Sequence, residues 1–193
     1  MNFAVFASGS GTNFAAILKA WQEKKIPGKL ALLFCDQPTA PVVKKAQAQA
    51  IPCVTFTVKS CGGKLAYEKK ILAVLKEYQV DWLVLAGYMR IVGSPILTAY
   101  PQKIINIHPA LLPNFPGLHG IEDAFAAGVS KTGVTIHYVD SGVDTGPVIC
   151  QEAVTITSED TLASLATKIH AVEHRIYPQV LQKIFQEAEE QND

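Results

Sequence analysis

The chain has 193 residues, of which 49% are hydrophobic and 18% are charged, a composition typical of a globular protein and not of a disordered one. Its 17 basic and 17 acidic residues cancel to a formal charge of zero, and only two of the basic residues are arginines. This balance argues against a nucleic-acid-binding surface, which needs a basic face. The length predicts one domain.

The four cysteines, Cys35, Cys53, Cys61 and Cys150, form no CxxC pair and no zinc-binding spacing with histidine. No cluster of carboxylates suggests a metal site, so we expect no metal. The N-terminus lacks the features of a signal peptide, and no apolar run approaches the roughly 18 residues of a membrane span. These features predict a cytoplasmic protein that binds neither nucleic acid nor membrane.

Short apolar runs alternate with amphipathic stretches along the first half of the chain. In chain order, we predict a strand at 3–7, a helix at 13–24, a strand at 30–35 and a helix at 42–49. A strand at 53–58, a helix at 64–78 and strands at 82–86 and 104–108 follow. This βαβα order predicts a parallel sheet with helices on both faces.

The second half of the chain is organised differently. Residues 109–120 hold three prolines and two glycines and are predicted to be irregular, within a longer loop over 109–131. Strands are predicted at 132–139 and 148–154, antiparallel because no helix separates them. A long helix is predicted at 161–190, which Pro178 should kink or split.

A glycine-rich turn, Ser-Gly-Ser-Gly-Thr-Asn at 8–13, lies between the first strand and the first helix. Glycine lets a ligand approach the backbone closely, and a helix N-terminus offers unpaired N–H groups, so the turn favours a single phosphate. It matches neither the dinucleotide fingerprint nor the P-loop. The alternative is a tight turn in which Thr12 or Asn13 is an ordinary helix cap.

The strand at 104–108 carries two polar side chains in an apolar run. Asn106 and His108 share one face and lie about 7 Å apart along the strand. His108 is followed by Pro109 and therefore lies at the carboxyl end of the strand, where open α/β sheets bind their ligands. The alternative for His108 is that of a half-buried histidine with a structural role.

Asp144 lies in a glycine-containing loop at 140–147 and can reach a cleft. A carboxylate beside an imidazole favours the charged imidazolium. The alternative is an Asx turn at Asp140 or Asp144. Thr135 and His137 share a face of the next strand, so His137 competes for the acid–base role. Asn, His and Asp together suit direct group transfer through a tetrahedral intermediate, without a covalent enzyme intermediate.

Four segments together resemble the phosphoribosylglycinamide formyltransferase family, part of the formyltransferase superfamily. They read FASGSGTNFAAIL, LAGYMRIV, INIHPALLPNFPGLHG and TGVTIHYVDSGVDTGPVICQEAV. The resemblance runs nearly end to end, and the length matches free-standing bacterial members. It implies a Rossmann-like, three-layer αβα fold with a mostly parallel sheet of about seven strands, antiparallel last strands and a long C-terminal helix. The single domain 1–193 then has a phosphate-binding half, 1–100, and a folate and catalytic half, 101–193.

The resemblance implies an enzyme that transfers the formyl group of 10-formyltetrahydrofolate to the amine of phosphoribosylglycinamide in purine biosynthesis. The formylated product and tetrahydrofolate are released, and no metal is needed. The partners are then small molecules, and the expected state is a monomer or a weak homodimer. The alternatives are a formyltetrahydrofolate hydrolase, a methionyl-tRNA formyltransferase-like enzyme and a phosphosugar-binding module without catalysis.

The resemblance also assigns roles to individual residues. The catalytic set is Asn106, His108 and Asp144, supported by Thr135 and His137. The residues implied for phosphoribosylglycinamide are Gly11, Thr12, Asn13, His170 and Glu173. The residues implied for the folate are Lys64, Met89, Arg90, Ile91, Val92, Asn106, Asp140 and Asp144. The family commonly has arginine at position 64, so Lys64 departs from its pattern.

Overall fold

The computed structural model describes residues 1–191, which form seven strands and six α-helices. The strands are β1 Asn2–Ala7, β2 Lys29–Cys35, β3 Cys53–Thr55, β4 Trp82–Leu85, β5 Ile104–His108, β6 Lys131–Tyr138 and β7 Val148–Thr155. The helices are α1 Thr12–Gln22, α2 Pro41–Ala48, α3 Lys64–Glu77, α4 Ser94–Ala99, α5 Gly120–Ala126 and α6 Leu162–Glu190.

All seven strands join one sheet in the order β3-β2-β1-β4-β5-β6-β7. The strands from β3 to β5 pair in parallel, whereas β6 pairs antiparallel with both β5 and β7. Buried residues of α1, α2, α5 and α6 pack on one face of the sheet, and those of α3 and α4 pack on the other. The predicted mostly parallel, three-layer fold with antiparallel last strands and a long C-terminal helix is confirmed.

The central strands are apolar on both faces because helices cover both. In β1, residues 3–7 are completely buried, with Phe3 and Val5 in one core and Ala4 and Phe6 in the other. A run without polar alternation is typical of a parallel strand inside such a sheet. None of the helices within residues 1–191 is long and apolar enough to cross a membrane.

In the second half of the chain, the structure corrects the predicted loop at 109–131 and excludes a split of the last helix, one of the two effects predicted for Pro178. Residues 120–126 of the predicted loop 109–131 form α5, which buries Ile121 and Ala124 and has acidic residues in its first turn, where the helix dipole favours them. Helix α6 is not split at Pro178 but continues through it. Tyr177 is fully buried and donates to the carbonyls of Leu85 and Ile105, which ties this part of the helix to the sheet.

Two elements of the first half also differ from expectation. Strand β3 ends at Thr55 instead of continuing to 58, because Thr57 and Ser60 hydrogen-bond each other's backbone N–H and a short 3-10 helix follows at Lys59–Cys61. Helix α4, which begins after Gly93 with a proline in its first turn, was not predicted because its six residues are too few to show a periodicity.

Candidate active site

A cleft of about 720 Å³ opens at the carboxyl ends of β1, β4 and β5. The chain order of the strands reverses between β1 and β4, since β1 is followed on one side by β2 and on the other by β4. Open α/β sheets bind ligands at such a reversal. The residues predicted for both substrates and for catalysis, from both halves of the chain, contribute to the lining of this cleft, except Thr135.

The glycine-rich turn delivers the N-terminus of α1 to one end of the cleft. Gly11 is the N-cap, with a φ of 71°, and no acidic residue lies in the first turn of the helix. Thr12 is exposed, and the first-turn N–H groups have no partner within the helix. This end of the cleft can therefore bind an anion.

The packing of Gly11 against α2 also requires glycine at this position. A Cβ at Gly11 would overlap the side chain of Val42 at the start of α2, and the Val42 N–H donates to the carbonyl of Gly9. Substitution at Gly11 thus disturbs helix packing as well as any bound phosphate. The sequence alone indicated only the close approach of a ligand.

Asn13, His170 and Glu173 form one cluster beside this turn. The Glu173 carboxylate, only 4% exposed, accepts from Asn13 Nδ2 at 3.2 Å and from His170 Nδ1 at 2.8 Å. The hydrogen bond and charge of Glu173 raise the pKa of His170, against the effect of burial. Glu173 therefore favours the protonated form of this histidine, which lies beside the glycine-rich turn.

The catalytic set predicted from sequence converges in the cleft. His108 Nδ1 lies 3.4 Å from Asp144 Oδ2, and Asn106 Nδ2 lies 3.4 Å from Asp144 Oδ1. On the other side of its ring, His108 Nε2 donates to the carbonyl of Phe115 at 2.7 Å. Because a carbonyl only accepts, this bond fixes the proton on Nε2 and orients Nδ1 toward Asp144.

Asp144 has a backbone conformation that few residues other than glycine adopt, with φ at 55°. Its Oδ2 accepts from the Gly117 N–H at 2.8 Å. Burial raises the pKa of the carboxyl, but hydrogen bonds from His137 and Gly117 and the proximity of His108 and His137 outweigh it, so the pKa is lowered. Asp144 is thus a charged carboxylate at neutral pH.

The antiparallel register of β5 and β6 explains the positions of Thr135 and His137. Asn106 is opposite His137, and His108 is opposite Thr135. His137 Nε2 lies 3.2 Å from Asn106 Nδ2 and 3.5 Å from Asp144 Oδ1, so this histidine is part of the cluster. Its Nδ1 donates to the carbonyl of Tyr138.

Thr135 serves the loop that follows β5. Its hydroxyl donates to the carbonyl of Ala110 at 2.7 Å and accepts from the Leu112 N–H and from Gln151 Nε2. The side chain is fully buried. Thr135 therefore fixes the chain just beyond His108 and does not face the cleft.

Besides Asn106, Asp140 and Asp144, the residues predicted for the folate are Lys64 and 89–92, which also line the cleft. Met89 and Ile91 are more than half exposed, whereas Val92 packs into the core. Lys64 begins α3, with its ammonium 3.9 Å from the carboxylate of Glu68. These positions leave an exposed strip of backbone at the mouth of the cleft.

The Asx-turn alternative holds for Asp140 but not for Asp144. Asp140 Oδ1 accepts from the Gly142 N–H and from the Thr145 hydroxyl, which shapes the 140–147 loop. Asp144 bonds instead to Gly117, far along the chain. The local turn is therefore made by Asp140, which leaves Asp144 for the cleft.

Sequence reasoning missed several groups that hold the site. The Phe115 carbonyl and the Gly117 N–H are backbone groups and leave no side-chain signal. Asp36 and Glu68 are buried carboxylates beside the cleft; Asp36 directly follows β2, which could have placed it at the same sheet edge. Within residues 1–191, no group of three or more His, Cys, Asp or Glu side chains could hold a metal.

The chain is similar to known proteins over nearly its whole length. Residues 1–181 match the model of the family described as formyl transferase. The chain is 48% identical over 182 residues to phosphoribosylglycinamide formyltransferase of Bacillus subtilis, covering 94% of this chain and 93% of that protein.

Solved structures are also similar. Phosphoribosylglycinamide formyltransferase from Bacillus halodurans superposes with a TM-score of 0.95 at 53% identity, covering 97% of each chain. Glycinamide ribonucleotide transformylase 1 from Geobacillus kaustophilus superposes with a TM-score of 0.93 at 50% identity, covering 95% of this chain and 98% of that one.

Proposed function

This chain belongs to the formyl transferase family, and from that premise we infer that it is an enzyme that transfers a formyl group to phosphoribosylglycinamide in purine biosynthesis. A formyl-folate is its co-substrate, as the family implies. The observation that best supports this function is that Asn106, His108 and Asp144 lie together in a cleft that ends at the N-terminus of α1. The hydrolase and the methionyl-tRNA formyltransferase-like alternatives are not favoured, since the relatives named above match nearly full length.

We propose that the acceptor's phosphate binds the first-turn N–H groups of α1, at Gly11, Thr12 and Asn13, with His170 supplying positive charge. Glu173 then faces the glycinamide amine. The helix dipole and the imidazolium both favour a phosphate dianion there. The buried Glu173 carboxylate is fixed by Asn13 and His170, which supports its use in orienting a substrate.

We propose that the co-substrate is 10-formyltetrahydrofolate and that its heterocycle binds the backbone of 89–92. Lys64 lies at the entrance to attract the negatively charged tail of the folate, with Asp140 and Asp144 at the far end of the cleft. The exposed apolar side chains Met89 and Ile91 supply contact area for such a ligand.

In the proposed reaction, the glycinamide amine attacks the formyl carbon, and the formyl oxygen becomes an oxyanion. Asn106 Nδ2 is placed to donate to it, and His108, whose ring is oriented by the Phe115 carbonyl and by the charged Asp144, is the second group that stabilises it. Collapse of the tetrahedral intermediate breaks the bond to the folate N10, and the proton lost by the amine passes to that nitrogen. His137 and Thr135 support this arrangement.

We further propose that 1–193 is one formyltransferase domain that acts in the cytoplasm as a monomer or weak homodimer. All four cysteines are free, which suits a reducing compartment. The domain's two halves both contribute to the one cleft, which supports a single functional unit.

A competition assay tests the proposed function. The protein is given 10-formyltetrahydrofolate together with phosphoribosylglycinamide, methionyl-tRNA and water as acceptors, and the release of tetrahydrofolate and the formylated product are measured. We expect release only when phosphoribosylglycinamide is present. Release with water alone, or formylation of the tRNA, would contradict the assignment.

The raised pKa of His170 predicts that phosphate affinity falls as the pH rises. A raised pKa keeps the imidazolium form of His170 to higher pH than in a free histidine, and the charge is lost as the pH rises through the raised value, whereas a phosphate monoester is already a dianion above about pH 7. Ribose 5-phosphate is a suitable probe because it has no amine. We expect its inhibition constant to increase between pH 7 and pH 9.

The matched variant for this test is His170→Gln, which keeps a polar side chain but cannot carry charge. Its inhibition constant should be higher than that of the wild type at pH 7 and nearly independent of pH. If the wild type and the variant show the same pH profile, His170 does not contribute charge to the phosphate site.

A further inference from the structure

Two buried carboxylates hold the ends of the backbone segment 89–93, which follows β4 and belongs to no helix or strand. Asp36 is 1% exposed and Glu68 is 3% exposed. Neither contributes to the reaction described above. Burying a carboxylate is costly unless hydrogen bonds or opposite charge compensate it, so the partners of these two residues indicate their purpose.

The first anchor connects Asp36 to the start of the segment by two routes. Asp36 Oδ1 accepts from the Ser8 hydroxyl at 2.6 Å, and the Ser8 oxygen in turn accepts from the Met89 N–H at 2.9 Å. Asp36 Oδ2 accepts from Arg90 Nε at 2.6 Å. The carboxylate thus fixes one backbone N–H and the neighbouring side chain at once.

The second anchor lies at the end of the segment. Glu68 Oε1 accepts from the Gly93 N–H at 2.8 Å, and a Cβ at Gly93 would overlap the Glu68 carboxylate. Val92, the residue before, packs into the core beside α3. Both ends of the segment are therefore held by contacts that lie outside it.

Between the anchors, the backbone is left unpaired. No hydrogen bond within residues 1–191 engages the N–H or C=O groups of Arg90, Ile91 and Val92. Such free donors and acceptors next to a cleft can pair with the edge of a heterocycle that carries both kinds of group. They bind well only if the backbone is already held in position, because ordering it on binding costs affinity.

We propose that Asp36 and Glu68 are positioning residues that fix the backbone of 89–92 in the geometry that binds the folate heterocycle. This inference rests on the proposed function, in which that segment binds the co-substrate. Asp36 acts through Ser8 and Arg90, and Glu68 acts through Gly93, with the Lys64 ammonium 3.9 Å away as its second partner. Their effect is therefore on the binding of one substrate and not on the chemical step.

Steady-state kinetics of Asp36→Ala and Glu68→Ala test the proposal. Hydrogen bonds to charged groups are among the stronger ones, so we expect KM for 10-formyltetrahydrofolate to rise about tenfold in each variant. The values of kcat and of KM for phosphoribosylglycinamide should stay within about twofold, since loss of uniform binding raises KM alone. Asp36→Asn and Glu68→Gln, which keep an acceptor oxygen, should recover part of the loss.

Asp160→Ala is the matched control. Asp160 is also a carboxylate that accepts several hydrogen bonds, from Thr157, Ser164 and Lys168, but it lies before α6 and outside the cleft. Its loss should lower thermal stability without changing either KM. If Asp36→Ala and Glu68→Ala raise both KM values equally, or neither, the positioning role is refuted.

Amide hydrogen exchange gives a readout that does not need activity. The Met89 amide should exchange faster in Asp36→Ala, and the Gly93 amide faster in Glu68→Ala, with both unchanged in Asp160→Ala. If the wild type transfers no formyl group but the amides respond as expected, the proposed function fails and the anchoring stands. Unchanged exchange at both amides in the two variants overturns the anchoring, whatever the activity.

Discussion

Replacing Asp144 with asparagine should lower kcat for formyl transfer by about 100-fold or more, the size of an acid–base contribution. The carboxylate lies within 3.5 Å of His108 and His137, and its pKa is lowered, so it is charged at the pH of any ordinary assay. Asparagine keeps the shape but removes the negative charge beside the two imidazole rings. Both KM values should move less than kcat, since the charge is needed most in the transition state.

His137→Asn is the control for this variant. His137 also contacts Asp144, but its Nδ1 is committed to the Tyr138 carbonyl, so we expect a milder loss of kcat. Asparagine at 144 can still accept from the Gly117 N–H, which can be checked by hydrogen exchange at that amide. Near wild-type turnover in Asp144→Asn, with turnover abolished in His137→Asn, would mean that the acid–base group is His137 on β6 and not His108 on β5.

The parts of the fold that sequence predicts well are those set by local composition. Strand β1 is apolar at every position from Phe3 to Ala7, and only a parallel strand covered on both faces buries such a run completely. The alternation of such runs with amphipathic helices predicts the parallel pairing of the strands but not their order in the sheet. Helix α5 was not predicted because it has only seven residues and follows a segment rich in proline and glycine.

Helix α6 shows where a tertiary contact outweighs a local rule. Proline removes one helical hydrogen bond, which is why a kink or a split was predicted at Pro178. Tyr177, next to it, is completely buried and donates to two strand carbonyls, and Leu181 one turn later is also completely buried. These contacts are made with β4 and β5, about 70 to 90 residues earlier in the chain, so no window of sequence shows them.

The site, like the fold, has a part that local sequence predicts and a part that depends on distant contacts. Asn106 and His108 could be predicted because a strand places alternate residues on one face, and polar residues in an apolar strand need a reason. The groups that orient them, the Phe115 carbonyl and the Gly117 N–H, could not be predicted. They are backbone groups, which nearly every residue has, so no residue type marks them in the sequence. Their role follows only from a loop conformation in which Phe115 itself has a positive φ.

Replacing His108 should cause the largest loss of all, a fall in kcat of roughly 100- to 1,000-fold, as for removal of an oxyanion donor in a buried site. The ring is 3% exposed, with Nε2 held by Phe115 and Nδ1 facing Asp144, so its loss takes a partner away from each of these two groups. His108→Gln is the preferred variant, because its amide can still donate toward the Phe115 carbonyl. His108→Ala removes that bond as well.

The comparison of these variants separates catalysis from loop structure. If His108 acts chemically, His108→Gln and His108→Ala should lose similar amounts of kcat, while only the alanine variant loosens the loop in hydrogen exchange. His119→Ala, an exposed histidine near the same loop, should leave kcat unchanged. The double variant of His108 and Asp144 should be no slower than the worse single one, because groups that act as a unit are not additive. Additive losses in the double variant would show instead that the two side chains contribute independently, and that Asp144 does not act through the imidazole.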